Sequence, residues 1–217
     1  MTVSNKNLVI GSDCSYSGYN IFRSRKGVVL NYMDIIFNVL NNSLKENNRV
    51  LAIRVDLRLP FNFCNNDTSV ISRFFASLKA KIAADYKNKS ERLNRVHDCN
   101  MRYVWVKEQF TSKQPHYHVV IFVNYDYYHV LGDYNRITEG GNLASRIAHA
   151  WASAIKTDID FAATLVKFPD NCTYKLAQSS EDFDKQLRSL VYRVSYLAKI
   201  DTKNYGFRQR NIGYSQN

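Results

Sequence analysis

Residues 115–122 read Pro115-His116-Tyr117-His118-Val119-Val120-Ile121-Phe122, with two histidines on either side of one tyrosine at the start of an apolar run. Successive side chains of a strand point to opposite faces, so residues two apart lie on the same face. If the run is a strand, His116 and His118 project together and can bind one divalent metal ion. Imidazole binds several transition metals, so the pair does not choose the metal. A polar strand end without a metal is the alternative.

Helical and strand-like patterns alternate on both sides of this run. Apolar residues at helical spacing predict four helices, over 29–44, 68–88, 143–155 and 181–200. Segments rich in β-branched and aromatic residues predict four strands, over 49–60, 101–110, 116–124 and 164–168, with a hairpin turn at 111–115. This order predicts an α+β sandwich, in which helices pack on a central antiparallel sheet.

The strand predicted over 49–60 alternates between apolar and charged side chains. Arg54, Asp56 and Arg58 share one face, which predicts a half-buried strand that ends at Pro60. Residues 1–28 are polar and contain several glycines, and we expect them to form an irregular arm. We therefore divide the chain into 1–48, the arm and first helix, and 49–217, the main domain, and expect the two to form one structural unit.

The charge of the chain favours a nucleic-acid partner. Its 217 residues contain 30 Lys and Arg against 19 Asp and Glu, a net charge of +11. Such an excess is typical of proteins that bind polyanions, although a well-solvated basic protein is the alternative. Basic residues concentrate between Lys185 and Arg210, interleaved with tyrosine and phenylalanine. Basic groups for phosphates and rings for bases suit a single strand.

The chain carries no sign of secretion or membrane insertion. No apolar stretch reaches the length of a membrane span, and the first residues lack the pattern of a secretory signal. The four cysteines are far apart and form no Cys-x-x-Cys pair, which favours reduced thiols and a cytoplasmic protein.

Two further features support a metal-binding role for the histidine pair. Glu108 precedes the predicted turn, so a hairpin would return it to the histidines, and two imidazoles with one carboxylate leave metal positions open for a substrate. On the last predicted helix, Tyr192, Tyr196 and Lys199 lie on one side at spacings of four and three. The alternatives are an exposed glutamate near a strand end and tyrosines that only pack an amphipathic helix.

Together, a carboxylate, a hairpin, His-x-His and a later Tyr-x3-Tyr-x2-Lys resemble the HUH endonuclease superfamily of single-strand nickases and rolling-circle replication initiators. Longer phrases resemble the YagK/YfjJ C-terminal family, which is prophage-associated and related to the gene II type replication protein of filamentous phages. They are Tyr-Val-Trp-Val-Lys-Glu-Gln at 103–109, Lys-Gln-Pro-His-Tyr-His-Val at 113–119, Asn-Leu-Ala-Ser-Arg at 142–146 and Tyr-Leu-Ala-Lys-Ile-Asp-Thr-Lys at 196–203. The resemblance runs from about residue 49 to residue 213.

The resemblance implies an HUH-type fold, similar to ferredoxin and RRM domains, and a nicking mechanism. His116, His118 and Glu108 would bind Mg²⁺ or Mn²⁺, and Tyr196 would attack the scissile phosphate. Tyr192 would attack in a second round, and Lys199 would hold a phosphate or the tyrosyl oxygen. The residues expected to contact DNA are Arg54, Arg58, Arg193, Lys203, Arg208 and Arg210.

The implied partner is single-stranded DNA at an origin or hairpin, in the cytoplasm of a bacterial host. The chain contains no Gly-x4-Gly-Lys-Ser/Thr phosphate loop, so unwinding would require a host or phage helicase.

The first strand departs from the superfamily pattern, because a threonine-rich motif is replaced by Ile-Arg-Val-Asp-Leu-Arg at 53–58. Asp56 can approach the metal, orient a histidine or pair with Arg54 or Arg58. This departure favours a second hypothesis, a DNA-binding or regulatory protein on the same scaffold without catalysis. A third, a small-molecule metalloenzyme of the cupin kind, expects more short strands and a late fourth histidine ligand.

Overall fold

The fold is described from a computed structural model, for residues 8–63, 67–109, 114–201, 203 and 210–216. The strands are β1 (Ile10–Gly11), β2 (Ser15–Tyr16), β3 (Tyr19–Asn20), β4 (Val28–Val29), β5 (Arg49–Arg58), β6 (Arg102–Glu108), β7 (His116–Asn124), β8 (Val166–Lys167), β9 (Thr173–Ala177) and β10 (Ile212–Tyr214). The α-helices are α1 (Leu30–Glu46), α2 (Val70–Ser90), α3 (Leu143–Ile155), α4 (Ile159–Leu165) and α5 (Phe183–Ser195). The predicted α+β class, with an antiparallel sheet and packed helices, is confirmed.

The main sheet places β5, β6 and β7 side by side. Among the described residues its order is β10-β6-β7-β5-β8, and β9 pairs with the same edge of β5 as β8 does. Every pairing in it is antiparallel. The register sets His118 opposite Asp56 on one neighbour, and His116 opposite Glu108 on the other. Side chains that are distant in sequence therefore meet at one end of the sheet.

Helices cover both faces of this sheet. Leu51, Ile53 and Val55 belong to a core shared with α2 and α3, where Trp151 is fully buried. Val50 and Ala52 point the other way, into a second core shared with α1 and α5. The prediction that the 49–60 strand is half-buried was therefore wrong for most of its length, because α1 and α5 cover Val50 and Ala52 on the polar face; only towards its end is Asp56 partly buried and Arg58 exposed.

Most predicted elements lie within a few residues of the observed ones, with two differences. The last helix, predicted to reach residue 200, ends at Ser195, and Tyr196–Ala198 forms a 3₁₀ turn. The helix cannot continue because the backbone of Lys199 is extended and forms a β-bridge with Val28. The short helix α4 and the strands β9 and β10 were not predicted. The turn predicted at 111–115 falls mainly on residues 111–113, which lie outside the described part of the chain.

The N-terminal residues 8–29 are more ordered than the irregular arm that we expected. They form two small antiparallel pairs, β1 with β4 and β2 with β3, and they bury Ile21 and Val28. The N–H of Ile200 donates to the Gly27 carbonyl at 3.3 Å, so the segment is anchored to the chain after α5. Within the described residues, no helix is both long and apolar enough to cross a bilayer.

Candidate active site

Three candidate metal ligands meet on adjacent strands. The Nε2 atoms of His116 and His118 lie 3.2 Å apart, and the Nε2 of His118 lies 3.2 Å from the Oε2 of Glu108. The Nε2 of His116 lies 3.9 Å from the same oxygen. The strand pairing causes this convergence, because β6 and β7 carry all three residues on one face. We call His116, His118 and Glu108 the triad.

The spacing of the triad and the neutral ring of His116 suit a divalent ion. A six-coordinate ion such as Mg²⁺, bound at about 2.1 Å, holds neighbouring ligand atoms about 3.0 Å apart. The ligand atoms of the triad lie within 4.8 Å of one another. Burial, with the neighbouring His118, lowers the pKa of His116 to about 4, so its ring is neutral at pH 7 and able to bind a metal. The triad can therefore hold a metal ion.

Asp56 orients one ligand of the triad. Its Oδ1 lies 2.7 Å from the Nδ1 of His118 and 2.7 Å from the Nη2 of Arg54. Burial opposes ionisation of Asp56, but the hydrogen bond with His118 and the Arg54 charge outweigh it, and the pKa of its carboxyl is held well below the usual range. A carboxylate on one ring nitrogen leaves the other facing the metal position. Of the roles open to Asp56, the structure thus shows two, pairing with Arg54 and contact with His118.

Two lysines surround the carboxylate of Glu108. The Nζ of Lys199 lies 3.3 Å from Oε2, and the Nζ of Lys203 lies 3.7 Å from Oε1. All three side chains are buried, and burial lowers the pKa of Lys203 to about 8, although the charge of Glu108 opposes this shift. The lysines keep a positive field around the triad, which suits a phosphate-bearing substrate.

Tyr196 lies directly beside the triad. Its ring centroid is 5.7 Å from that of His118, and the Nζ of Lys199 is 3.5 Å from the centre of the Tyr196 ring. Phe22, from the N-terminal segment, packs edge-on against the same ring at 5.0 Å. The backbone N–H of Phe22 also donates to the Oγ of Ser195 at 2.8 Å. The tyrosine is therefore held between the metal position and the N-terminal segment.

An open cleft of about 850 Å³ gives access to this tyrosine. Tyr192, 52% exposed, lies one helical turn before Tyr196 and lines the same cleft. Arg54, Asp56 and His118 also line this cleft. The structure thus brings both predicted tyrosines to one cleft beside the triad, with Tyr196 in contact with His118 and Tyr192 nearer the solvent.

The residues predicted to contact DNA fall into different environments. Arg58 and Arg210 are exposed, and Arg193 is partly exposed and lines the cleft. Arg54 also lines the cleft but is buried against Asp56. Lys203 requires a correction, because its side chain is buried against Glu108 and presents no surface to DNA. Arg208 lies outside the described residues.

Phe22 was not identified as a candidate from the sequence. It lines the cleft and touches Tyr196, although about 170 residues separate the two. No motif marks it, because an isolated phenylalanine in a polar segment carries no spacing signal. A tertiary contact alone brings it to the site.

Comparison with known proteins confirms the resemblance to the YagK/YfjJ C-terminal family. The profile of the YagK/YfjJ C-terminal domain matches residues 12–215. The uncharacterized protein YagK of Escherichia coli (strain K12) is 36% identical over 197 residues, which cover 87% of this chain and 93% of that protein. The uncharacterized protein YfjJ of the same organism is 35% identical over 198 residues, or 85% and 93% of the two chains. No solved structure matches the chain.

Proposed function

The chain belongs to the YagK/YfjJ C-terminal domain family, and we propose that it is a metal-dependent endonuclease that nicks and rejoins single-stranded DNA. The observation that carries this proposal is the position of Tyr196, which lies against both His118 and Lys199 at the edge of an open cleft. A tyrosine whose ring lies beside a metal position is a candidate nucleophile for phosphoryl transfer.

The proposed step is a transesterification at a DNA phosphate. The Tyr196 oxygen forms a bond to phosphorus while the bond from phosphorus to the 3′-oxygen breaks. The phenol proton passes to solvent, and the departing 3′-oxygen takes up a proton to become a free hydroxyl. The 5′ end stays linked to Tyr196 as a phosphodiester, so the bond energy is kept and the reverse step rejoins the strand.

The residues of the site divide this work. A divalent ion in the triad, Mg²⁺ or Mn²⁺, would supply Lewis-acid stabilisation of charge on the phosphate oxygens. Lys199 places a positive charge beside Tyr196, and Asp56 fixes the orientation of His118. Tyr192 lines the same cleft and would attack in a second round, which allows one site to cut and then reseal a circle.

The biological role that follows is initiation of rolling-circle-type replication of a phage or prophage element, in the cytoplasm of the bacterial host. The partner is single-stranded DNA at an origin or hairpin. The chain has no phosphate loop of the Walker type, so a host or phage helicase would open the duplex.

A covalent adduct is the direct test. The protein is incubated with a pool of fluorescent single-stranded oligonucleotides, drawn from its own genetic element, in Mn²⁺, and separated on a denaturing gel. We expect a labelled protein band that Tyr196→Phe with Tyr192→Phe removes. Tyr214→Phe, which changes an exposed tyrosine on β10, is the matched control and should leave the band unchanged.

Two other outcomes would contradict the proposal. Cleavage without an adduct would mean that water, not tyrosine, attacks the phosphate. Binding that is salt-sensitive, independent of metal and unaffected by His116→Ala, with no cleavage of any probe, would favour the alternative of a non-catalytic DNA-binding protein on this scaffold.

A further inference from the structure

A second cavity lies on the other side of the triad from the tyrosines. It has a volume of about 560 Å³. It shares Asp56 and His118 with the cleft lined by Tyr192 and Tyr196, which we call the tyrosine cleft. The two cavities follow each other along β5, because the tyrosine cleft reaches Arg54 while the second cavity reaches Arg58. We call the second cavity the Phe61 pocket; its lining is Asp56, Arg58, Leu59, Phe61, Gln114, Pro115, His116 and His118.

Phe61 is the unusual residue of this pocket, because its ring is 72% exposed. Its backbone is nevertheless fixed. The side chain of Gln114 donates to the carbonyl oxygens of Phe61 and Phe63, and the Phe63 N–H donates to the Pro60 carbonyl at 3.0 Å. An exposed ring on a fixed turn, next to the exposed Arg58, combines a stacking surface with a positive charge. These are the two elements by which proteins bind single-stranded nucleic acid.

The position of Tyr196 determines which nucleotide this pocket faces. In a phosphoryl transfer the attacking and leaving oxygens lie roughly in line, on opposite sides of phosphorus. Tyr196 approaches the triad from the side of Arg54, since its ring lies 5.9 Å from the Arg54 guanidinium. With Tyr196 as the attacking group, in-line geometry would place the leaving oxygen of a phosphate at the triad on the side of Arg58 and the Phe61 pocket.

We propose that the Phe61 pocket binds the nucleotide whose 3′-oxygen leaves during nicking. The base stacks on Phe61, and Arg58 pairs with a neighbouring backbone phosphate. This inference rests on the proposed function, because it takes Tyr196 as the attacking group. It adds that the released strand stays bound by its last base, so that its 3′-hydroxyl remains beside the triad for rejoining.

The stacking part is tested by binding alone, in a protein that cannot cut. In the Tyr192→Phe, Tyr196→Phe background, anisotropy of fluorescein-labelled (dT)₁₂ in Mn²⁺ should show about tenfold weaker binding for Phe61→Ala, the loss typical of one stacked base. Phe61→Trp should retain the affinity. Phe161→Ala, which removes another exposed ring that lines neither cavity, is the control and should bind as the parent does.

The position of the base is tested with cutting-competent protein, once the adduct assay has located the nick. An abasic site immediately 5′ of the nick should slow strand joining about tenfold in the parent and cause no further loss in Phe61→Ala. If adducts form and Phe61→Ala joins strands as fast as the parent, the pocket proposal is wrong and the proposed function stands. If no probe forms an adduct while Phe61→Ala still weakens (dT)₁₂ binding, the nicking function falls and the stacking site remains.

Discussion

At the residue scale, His118 connects the other two candidate metal ligands to Asp56. One ring nitrogen faces His116 and Glu108, and the other lies 2.7 Å from Asp56. The His-x-His spacing predicts a shared face, and the register of β6 and β7 explains why Glu108 lies beside the pair. The role of Asp56 could not be chosen from the sequence, because a carboxylate between two arginines has equally plausible local partners.

Asp56→Asn should weaken metal binding without unfolding the protein. The amide keeps the size of the side chain beside His118 and Arg54, but it removes the negative charge that supports the imidazole. Loss of such a partner typically reduces metal affinity about 10- to 100-fold. Calorimetric titration with Mn²⁺ measures the effect. Asp184→Asn, an exposed carboxylate on α5, is the control, and equal affinity in both variants would contradict the role given to Asp56.

The lysines around Glu108 were the less predictable part of the site. Lys199 and Lys203 are spaced like surface residues of a basic helix, and for Lys203 the sequence predicts a DNA contact. The helix instead ends at Ser195, and the turn that follows directs both ammonium groups towards the buried carboxylate. A change of backbone direction within a basic segment leaves no clear mark in composition or spacing.

At the element scale, the N-terminal segment supports the end of α5. Residues 8–29 carry Phe22 to the Tyr196 ring, and the Val28–Lys199 bridge holds the extended backbone after the 3₁₀ turn. Within the described part of the chain, the Phe22 ring packs on Tyr196 and makes no ring contact with the triad. A substitution of Phe22 can therefore test the positioning of Tyr196 independently of metal binding.

Phe22→Ala should slow adduct formation about 10- to 100-fold, because a small displacement of an attacking group has effects of this size. Mn²⁺ affinity should not change. Single-turnover adduct kinetics and a Mn²⁺ titration on the same protein measure the two quantities. Phe37→Ala offers a control, since Phe37 packs on Tyr16 and Tyr19 in the N-terminal segment without reaching the tyrosine cleft. Parallel loss of metal affinity would show that Phe22 acts on the whole site.

A second network joins α2 to α3 away from the site. Asp85 accepts hydrogen bonds from the hydroxyls of Tyr127 and Tyr128, each at 2.9 Å, and pairs with Arg146. Burial opposes ionisation of Asp85, but these partners outweigh it, and the pKa of Asp85 is lowered below its usual 3.8. A carboxyl whose pKa is lowered by folding stabilises the folded state at any pH above its usual pKa. That stabilisation is lost as the pH falls through the lowered pKa of the folded state.

Asp85→Asn should therefore reduce the free energy of unfolding by about 2 kcal/mol at pH 7, the scale of hydrogen bonds to a charged group. The difference from the parent should shrink as the pH falls from 3.8 through the lowered pKa, because Asp85 of the unfolded parent is protonated first and Asp85 of the folded parent only at the lower pH. Urea denaturation at pH 7 and pH 3.5 measures both values. A difference that stays constant over this range would exclude the charge of Asp85 as its source.

Short elements were the least predictable parts of the fold. The long patterns of β5, β7, α1, α2 and α3 each identify one element. β10 has three residues, and its Gly213 is required by contact, since a Cβ there would lie 2.5 Å from the Trp105 side chain. For α4, the only sequence signal is the capping residue Asp158, whose carboxylate accepts the Phe161 N–H at 2.8 Å at the start of the helix.

At the scale of the whole molecule, the net charge and the two cavities are consistent with the proposed single-stranded DNA partner. The net charge is +11, and two cavities extend along β5 on either side of the triad. The composition predicts a polyanionic partner without locating it. The structure shows that some of the predicted basic contacts are internal ion pairs, so fewer arginines and lysines remain for phosphates than the count suggests.

Binding of (dT)₁₂ should weaken as the salt concentration rises, with a slope of log K against log salt of about −0.7 for each phosphate neutralised. Arg58→Ala should reduce the size of that slope by about 0.7, the loss of one phosphate contact. Anisotropy titrations over a range of NaCl concentrations measure the slope. Arg136→Ala, which removes an exposed arginine already paired with Glu139, should leave it unchanged. A slope equal to the parent's in Arg58→Ala would exclude Arg58 as a phosphate contact.

The central claim is that Tyr196 forms the bond to DNA. Peptide mapping can test this claim directly, because the two tyrosines can be separated by proteolysis. Trypsin cuts after Arg188, Arg193 and Lys199, so Tyr192 and Tyr196 fall in separate peptides, 189–193 and 194–199. After reaction with single-stranded DNA in Mn²⁺ and nuclease trimming, mass spectrometry should find the nucleotide on peptide 194–199. A nucleotide found only on peptide 189–193, or a cleaved strand with neither peptide modified, would contradict the account.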